Sequence, residues 1–124
     1  MIPKKIIIHK KSAILELIYS KDVYNLSAEY LRVFSPSAEV QGHSPSQAVL
    51  EYGKKLVRFS NLERQGNYAI KFTFSDGHDS GIYSWDYLRE LAINYEKNWR
   101  AYEEQLQSQG KRRESTLIEV KNST

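Results

Sequence analysis

The chain has 124 residues, of which 40% are hydrophobic and 27% charged, enough for one domain with a real core and too few for two ordinary ones. It has no cysteine, which excludes a disulfide framework, a thiolate zinc site, a self-ligated iron–sulfur cluster and cysteine nucleophilic chemistry. The net charge of +3 is spread along the chain and not gathered on one segment, so no nucleic-acid footprint is expected.

In chain order, Ile6-Ile7-Ile8 and the period-two residues Leu15, Leu17 and Tyr19 predict two strands around a Lys10-Lys11-Ser12 turn. Val23 to Leu26 predicts a third. Ser27 is placed to cap a short helix, with Glu29 in its first turn and Pro36 as its stop. Residues 35–53 read as a long polar loop, and Lys55 to Phe59 as a strand followed by a connector over Asn61 to Gln65. Tyr68, Ile70, Phe72 and Phe74 alternate on one face of a strand. Ser75-Asp76-Gly77-His78 turns it, and Gly81-Ile82-Tyr83 returns as its partner.

Ser84 then caps one long helix over about residues 85–107. Its seam of Trp85, Leu88, Ala92, Tyr95, Trp99, Tyr102 and Leu106 repeats at heptad period. A helix of roughly 33 Å outruns so small a core. Tyr95, Trp99 and Tyr102 therefore need a covering surface, either the back of the sheet or a second copy in a homodimer. The expected fold is α+β: a small antiparallel β-sheet of hairpins, a short helix and one long C-terminal helix. Residues 1–110 form a single domain, with 111–124 as a disordered tail. No run of the chain reaches the length of a membrane span or of a signal peptide's apolar region, which predicts a cytoplasmic protein.

Nucleophile elbows and phosphate-cradling glycine loops are missing. Two glycine-containing loops carry the remaining chemistry, Ser35 to His43 and Asp76 to Gly81, each with an imidazole near carboxylates. His43 and His78 are candidate ligands for zinc or iron, with Glu39, Asp76 or Asp79 completing the set, although no short His-x-His spacing specifies a metal. The alternative is that Asp76-Gly77 forms the hairpin turn and His78 caps it. Arg32 pairs with Glu39 or Asp76 as a clasp, or else binds an anion beside the histidine loops. Tyr83 and Trp85 flank the hairpin as core or contact aromatics. A third alternative is catalytic, with His78 as a general base oriented by Asp76.

These stretches also carry a resemblance. Leu31-Arg32-Val33-Phe34-Ser35-Pro36-Ser37-Ala38-Glu39-Val40-Gln41-Gly42-His43, Gly66-Asn67-Tyr68-Ala69-Ile70, and Asp76-Gly77-His78 through Leu88 resemble the small bacterial proteins grouped as DUF971. Those proteins are similar to the N-terminal domain of gamma-butyrobetaine hydroxylase. In the hydroxylases this domain holds a structural zinc through three cysteines and a histidine. The resemblance places the cysteines on Ser35, Ser37 and Val40 and the histidine on His78. One ligand of four is retained and the oxygenase domain is missing, so the resemblance carries over neither the thiolate site nor hydroxylation.

A similar domain is also fused to P-loop iron–sulfur carriers of the Mrp type, which implies an accessory role near cluster delivery. The expected function is a non-enzymatic binding or adaptor domain. Its surface would comprise Arg32, Glu39, His43, Asp76, His78, Tyr83 and Trp85, serving an unidentified protein partner without nucleic acid, membrane or resident cofactor. The alternative is a degenerate, cysteine-free metal site at His43 and His78.

Overall fold

The computed structural model describes residues 1–42 and 48–115. Among the described residues, two three-stranded antiparallel sheets pack with four helices, the α+β architecture that the hydrophobic pattern predicts. The first sheet is a meander of β1 (Lys5–His9), β2 (Ile14–Ile18) and β3 (Val23–Ser27), with Ile7, Glu16 and Asn25 in register across it. Period-two patterning turns Leu15, Leu17 and Leu26 into the core and leaves Glu16 and Asn25 on the outer face. The β1–β2 turn contains no glycine, and Ala13 takes the left-handed conformation there (φ 56°). Arg58 holds this turn by donating from Nη2 to the carbonyls of Lys10 and Lys11.

The second sheet is β4 (Phe59–Gln65), β5 (Ala69–Phe74) and β6 (Ile82–Ser84). Here the sequence reading misplaces a strand. Asn61 to Gln65 pairs with β5 across a bulge between Phe59 and Asn61, while Lys55 to Arg58 lies outside the sheet. β4 is an edge strand with an exposed outer face, so apart from Phe59 and Leu62 its residues are polar and hydropathy does not mark it. Tyr68 precedes β5 and is 61% exposed, whereas Ile70, Phe72 and Phe74 are buried as expected.

Helix α1 (Ala28–Val33) starts where Ser27 Oγ accepts the Tyr30 N–H at 3.0 Å. A four-residue α2 (Ala38–Gln41) interrupts the polar loop. The long helix is two. Ser84 caps α3 (Trp85–Ile93), and α4 (Tyr95–Ser108) begins after Asn94, whose Nδ2 bonds the Glu90 carbonyl at 3.0 Å. A side chain that hydrogen-bonds back onto the helix competes with its continuation. α3 buries Trp85, Leu88, Leu91 and Ala92 in the main core beneath both sheets.

The second half of the seam finds its cover inside the chain. Tyr102 and Leu106 pack on Val33, and Trp99 sits between Tyr95, Tyr30 and Tyr102 at centroid distances of 6.1, 6.1 and 5.1 Å. Tyr102 Oη donates to the Glu51 carbonyl at 2.8 Å. Tyr102 is buried and Tyr95 is 37% exposed, so the predicted dimer seam is largely an intramolecular one.

The segment after α4, expected to be without order, is ordered as far as residue 115. The Gly53 and Lys55 N–H groups donate to the Arg112 and Arg113 carbonyls at 2.9 and 3.0 Å. The Arg113 guanidinium lies 5.1 Å from the Trp99 ring centre and chelates Glu29 through Nε and Nη2 at 2.9 and 2.7 Å. The remainder of the predicted tail, 116–124, lies outside the described residues.

Candidate functional site

The β5–β6 turn and the segment between α1 and α2 meet at one spot. Asp76 and Gly77 form the turn, with the Gly77 N–H donating to the Phe74 carbonyl at 2.9 Å. Gly77 adopts φ 89°, which an L side chain resists. Asp76 Oδ1 accepts the His78 N–H at 3.1 Å, so the Asp76 carboxylate caps the turn and the His78 side chain, expected as the cap, points elsewhere. The turn swings the His78 imidazole inward against Phe74, ring centres 6.1 Å apart, onto the backbone that follows α1.

There the imidazole meets the two serines singled out by the resemblance. His78 Nε2 lies 2.8 Å from Ser35 Oγ and 3.4 Å from Ser37 Oγ. Ser35 Oγ accepts the Ser37 N–H at 3.3 Å, so its own proton is free for the Nε2 lone pair. That assignment places the imidazole proton on Nδ1, which faces Glu39 Oε2 at 3.7 Å. Ser35, Ser37 and His78 are all buried. Burial first, and the nearby Arg32 charge second, hold the His78 pKa below its usual 6.5, against the opposing carboxylates of Glu39, Asp76 and Glu51.

Beside this cluster sits a balanced group of four charges. Arg32 Nε donates to Asp76 Oδ2 at 2.9 Å, and Lys54 Nζ reaches the same oxygen at 2.7 Å. Arg32 Nη1 lies 3.3 Å from Glu51 Oε1, without the alignment of a hydrogen bond. Burial would raise the Asp76 pKa. The Lys54 bond, the His78 N–H and Arg32 together outweigh it and bring it from 3.8 down to about 2. The sequence expectation that Arg32 clasps a carboxylate therefore holds for Asp76. Glu39 instead accepts from Ser80 Oγ at 3.1 Å and stays largely exposed.

As a presented surface, the predicted set is corrected. Arg32, His78, Tyr83 and Trp85 are buried: Tyr83 Oη donates to the Leu31 carbonyl, and Trp85 Nε1 to the Asn67 carbonyl at 2.8 Å. These are side chains that can bury a large apolar body once their one polar atom has a backbone partner, so their positions report the core. Only Glu39 and Asp76 of the described candidates reach solvent, and His43 lies outside the described residues. Ser35, Ser37, Glu51 and Lys54 complete the site. The serines were visible only through the resemblance, and nothing in the spacing of Glu51 or Lys54 marks them.

The donor set does not fit the zinc that the resemblance brings to mind. Hydroxyls replace two thiolates, Val40 offers no donor, the Nε2 lone pair already faces a hydroxyl, and Arg32 adds a positive charge. Among the described residues no group of three or more His, Asp or Glu side chains could hold a metal ion. Exhaustive chelation is expected to leave the Tm unchanged to within about 1 °C, and a fall of more than roughly 5 °C would place a structural metal here after all.

Two further expectations follow from this packing. A Cβ on Gly81 would lie 2.4 Å from Ser35 Oγ and 3.1 Å from Pro36 Cδ. Gly81→Ala should cost about 1–3 kcal/mol in urea unfolding through displacement of the buried serine. Stability should also fall with acidification in two windows. His78 is held neutral, so its contribution is complete above pH 6.5 and is lost as protons favour the unfolded chain below it. Asp76 contributes above 3.8 and loses its contribution as pH falls towards about 2. Denaturant midpoints measured from pH 8 to 2 should show both windows, and His78→Gln should flatten the upper one; an unchanged upper window in that variant would refute the assignment.

A cysteine-free α+β domain whose polar cluster stands on two apposed loops is thus defined by fold and site together. The family described as gamma-butyrobetaine hydroxylase-like, N-terminal, matches residues 6–89, and the chain belongs to it. Two solved structures, both determined by NMR in solution, match along nearly the whole length. One is 49% identical with a TM-score of 0.83, covering 99% of this chain and 98% of its own. The other is 39% identical with a TM-score of 0.77, covering 99% and 93%. A crystal structure from Acidithiobacillus ferrooxidans, of a protein of unknown function in the DUF971 family, is 32% identical with a TM-score of 0.58, covering 73% of this chain and 91% of its own. No curated protein matches the chain. Among the described residues no helix is long and apolar enough to cross a membrane.

Proposed function

We propose that this chain is a non-catalytic binding module of the cytoplasm, serving a protein client of the iron–sulfur carrier class. The observation that supports it is the closure of the polar cluster. Arg32, Ser35, Ser37 and His78 are buried, and His78 Nε2 lies 2.8 Å from the buried Ser35 Oγ. A general base needs a lone pair within reach of a substrate proton, and the burial of Ser35, Ser37 and His78 together keeps that of His78 away from solvent. The cluster therefore serves to fix the loop containing α2 and the β5–β6 turn against each other, the scaffolding that a recognition surface needs. The fusion of similar domains to P-loop carriers of the Mrp type supplies the class of client, as analogy.

The test is calorimetric titration of the full chain with a purified Mrp-type carrier, cluster-free and cluster-loaded. A Kd of about 10 µM or tighter is expected for at least one form, and no binding of either form at roughly 100 µM would remove this client.

A further inference from the structure

A second feature of the fold lies apart from the histidine cluster. β3 is an edge strand, and the ladder with β2 fixes which of its backbone groups are free. The Tyr19 N–H bonds the Asp22 carbonyl at 2.8 Å and the Ala28 N–H bonds the Ala13 carbonyl at 2.9 Å. With Leu17 opposite Tyr24 and Leu15 opposite Leu26, antiparallel alternation assigns the backbone groups of Tyr24 and Leu26 to β2. The N–H and C=O groups of Val23 and Asn25 then point away from the sheet. Alongside runs a cleft of about 720 Å³, lined by Val23 to Leu26 on one side and by Ala92 to Lys97 with Arg100 on the other.

Native edges are often blunted by proline or charge on the strand itself; Val23–Ser27 carries neither, and among the described residues no strand pairs with its outer side. Its walls are partly apolar, with Val23 54%, Ile93 58% and Tyr95 37% exposed. Lys97 and Arg100, one turn apart on α4, are exposed and have no carboxylate partner among the described residues. Glu96 stands beside them, so the wall offers a local pair of cations rather than a broadly basic field.

We infer that this cleft receives an extended acidic peptide segment of a partner protein, which pairs with β3 as a fourth strand of the first sheet. Main-chain bonds to Val23 and Asn25 supply sequence-independent affinity. Alternate side chains of the peptide face the α3–α4 elbow, where Ile93 and Tyr95 seat an apolar residue and Lys97 with Arg100 an aspartate or glutamate. The inference rests on the binding-module reading and names the surface that such a module would use.

Panning a displayed heptapeptide library on the immobilised full chain tests it. Enriched peptides should be acidic with apolar residues at alternate positions, and one synthesised peptide should shift the Val23 and Asn25 amides most in NMR titration. K97E/R100E should weaken that peptide about tenfold or more. Asn25→Pro, which removes an N–H that β2 does not use, should weaken it by a similar factor while the remaining amides keep their dispersion. No enrichment, enriched peptides without acidic residues, or amide shifts centred elsewhere would overturn the inference. Unchanged binding of an Mrp-type carrier to K97E/R100E would overturn this surface for that client and leave the module reading standing. An acidic peptide in the cleft without carrier binding would remove the client and leave the surface.

Discussion

Arg32→Met lowers the unfolding free energy by about 3–5 kcal/mol, the cost of breaking one side of a buried ionic network. The Arg32 side chain is only 8% exposed and faces two carboxylates, those of Asp76 and Glu51. Methionine fills a similar volume, so the loss is electrostatic and not a cavity. It leaves Asp76 with Lys54 as its remaining ion-pair partner and Glu51 with none among the described residues. The size follows from asymmetry: a complete buried pair is close to neutral against a hydrophobic replacement, whereas an orphaned buried charge is not.

A second readout separates this reading from simple mispacking. The Arg32 charge is one of the influences holding His78 below its usual range, so in R32M the imidazole should titrate at higher pH by NMR. The triple replacement R32M/D76N/E51Q should recover part of the lost stability, because the orphaned charges go with their partner. A loss under about 1 kcal/mol in R32M, or no movement of the His78 titration, would mean that the four charges act independently.

How much of this was legible in the sequence depends on whether a residue's role is local. Ser27 and Ser84 signal their caps because a cap is satisfied within three residues, and both hydroxyls accept the N–H three positions on. The Asp76-Gly77-His78 turn is legible for the same reason. β4 was not, because an exposed edge strand needs pairing partners and not hydrophobic ones, and its partners lie in β5. The helix break at Asn94 was hidden by an apolar seam that runs through it unbroken, since Trp99 and Tyr102 continue the heptad on different neighbours. Site residues divide the same way. Arg32 and Asp76 were readable as a clasp, but Glu51 and Lys54 join them from a polar segment whose composition suits any loop. Aromatic residues were over-read as surface: Tyr83 and Trp85 are recognition residues in many interfaces, yet their phenol and indole protons are answered here by backbone carbonyls inside the fold.

The same logic makes the segment after α4 the place where a distant mutation should matter most. Glu29 occupies the first turn of α1, a position that composition explains by the helix dipole alone. The structure adds that this carboxylate is buried, its side chain 6% exposed, and held by a two-point bond from Arg113, 84 positions along the chain. Arg113→Ala is therefore expected to cost about 2–4 kcal/mol, less than a fully enclosed pair because a third of the arginine side chain is solvated. Part of that loss is the face of Trp99, over which the guanidinium lies. Arg112→Ala, in which the neighbouring backbone bond to Gly53 persists, should change stability by less than about 0.5 kcal/mol. Glu29→Gln in the R113A background should restore roughly 1 kcal/mol or more by removing the stranded charge. Denaturant unfolding of the four chains decides the matter: R113A equal to R112A would show that the segment merely rests on α1 and α4, whereas the expected order makes Arg113 the bolt that joins the C-terminal segment to the core.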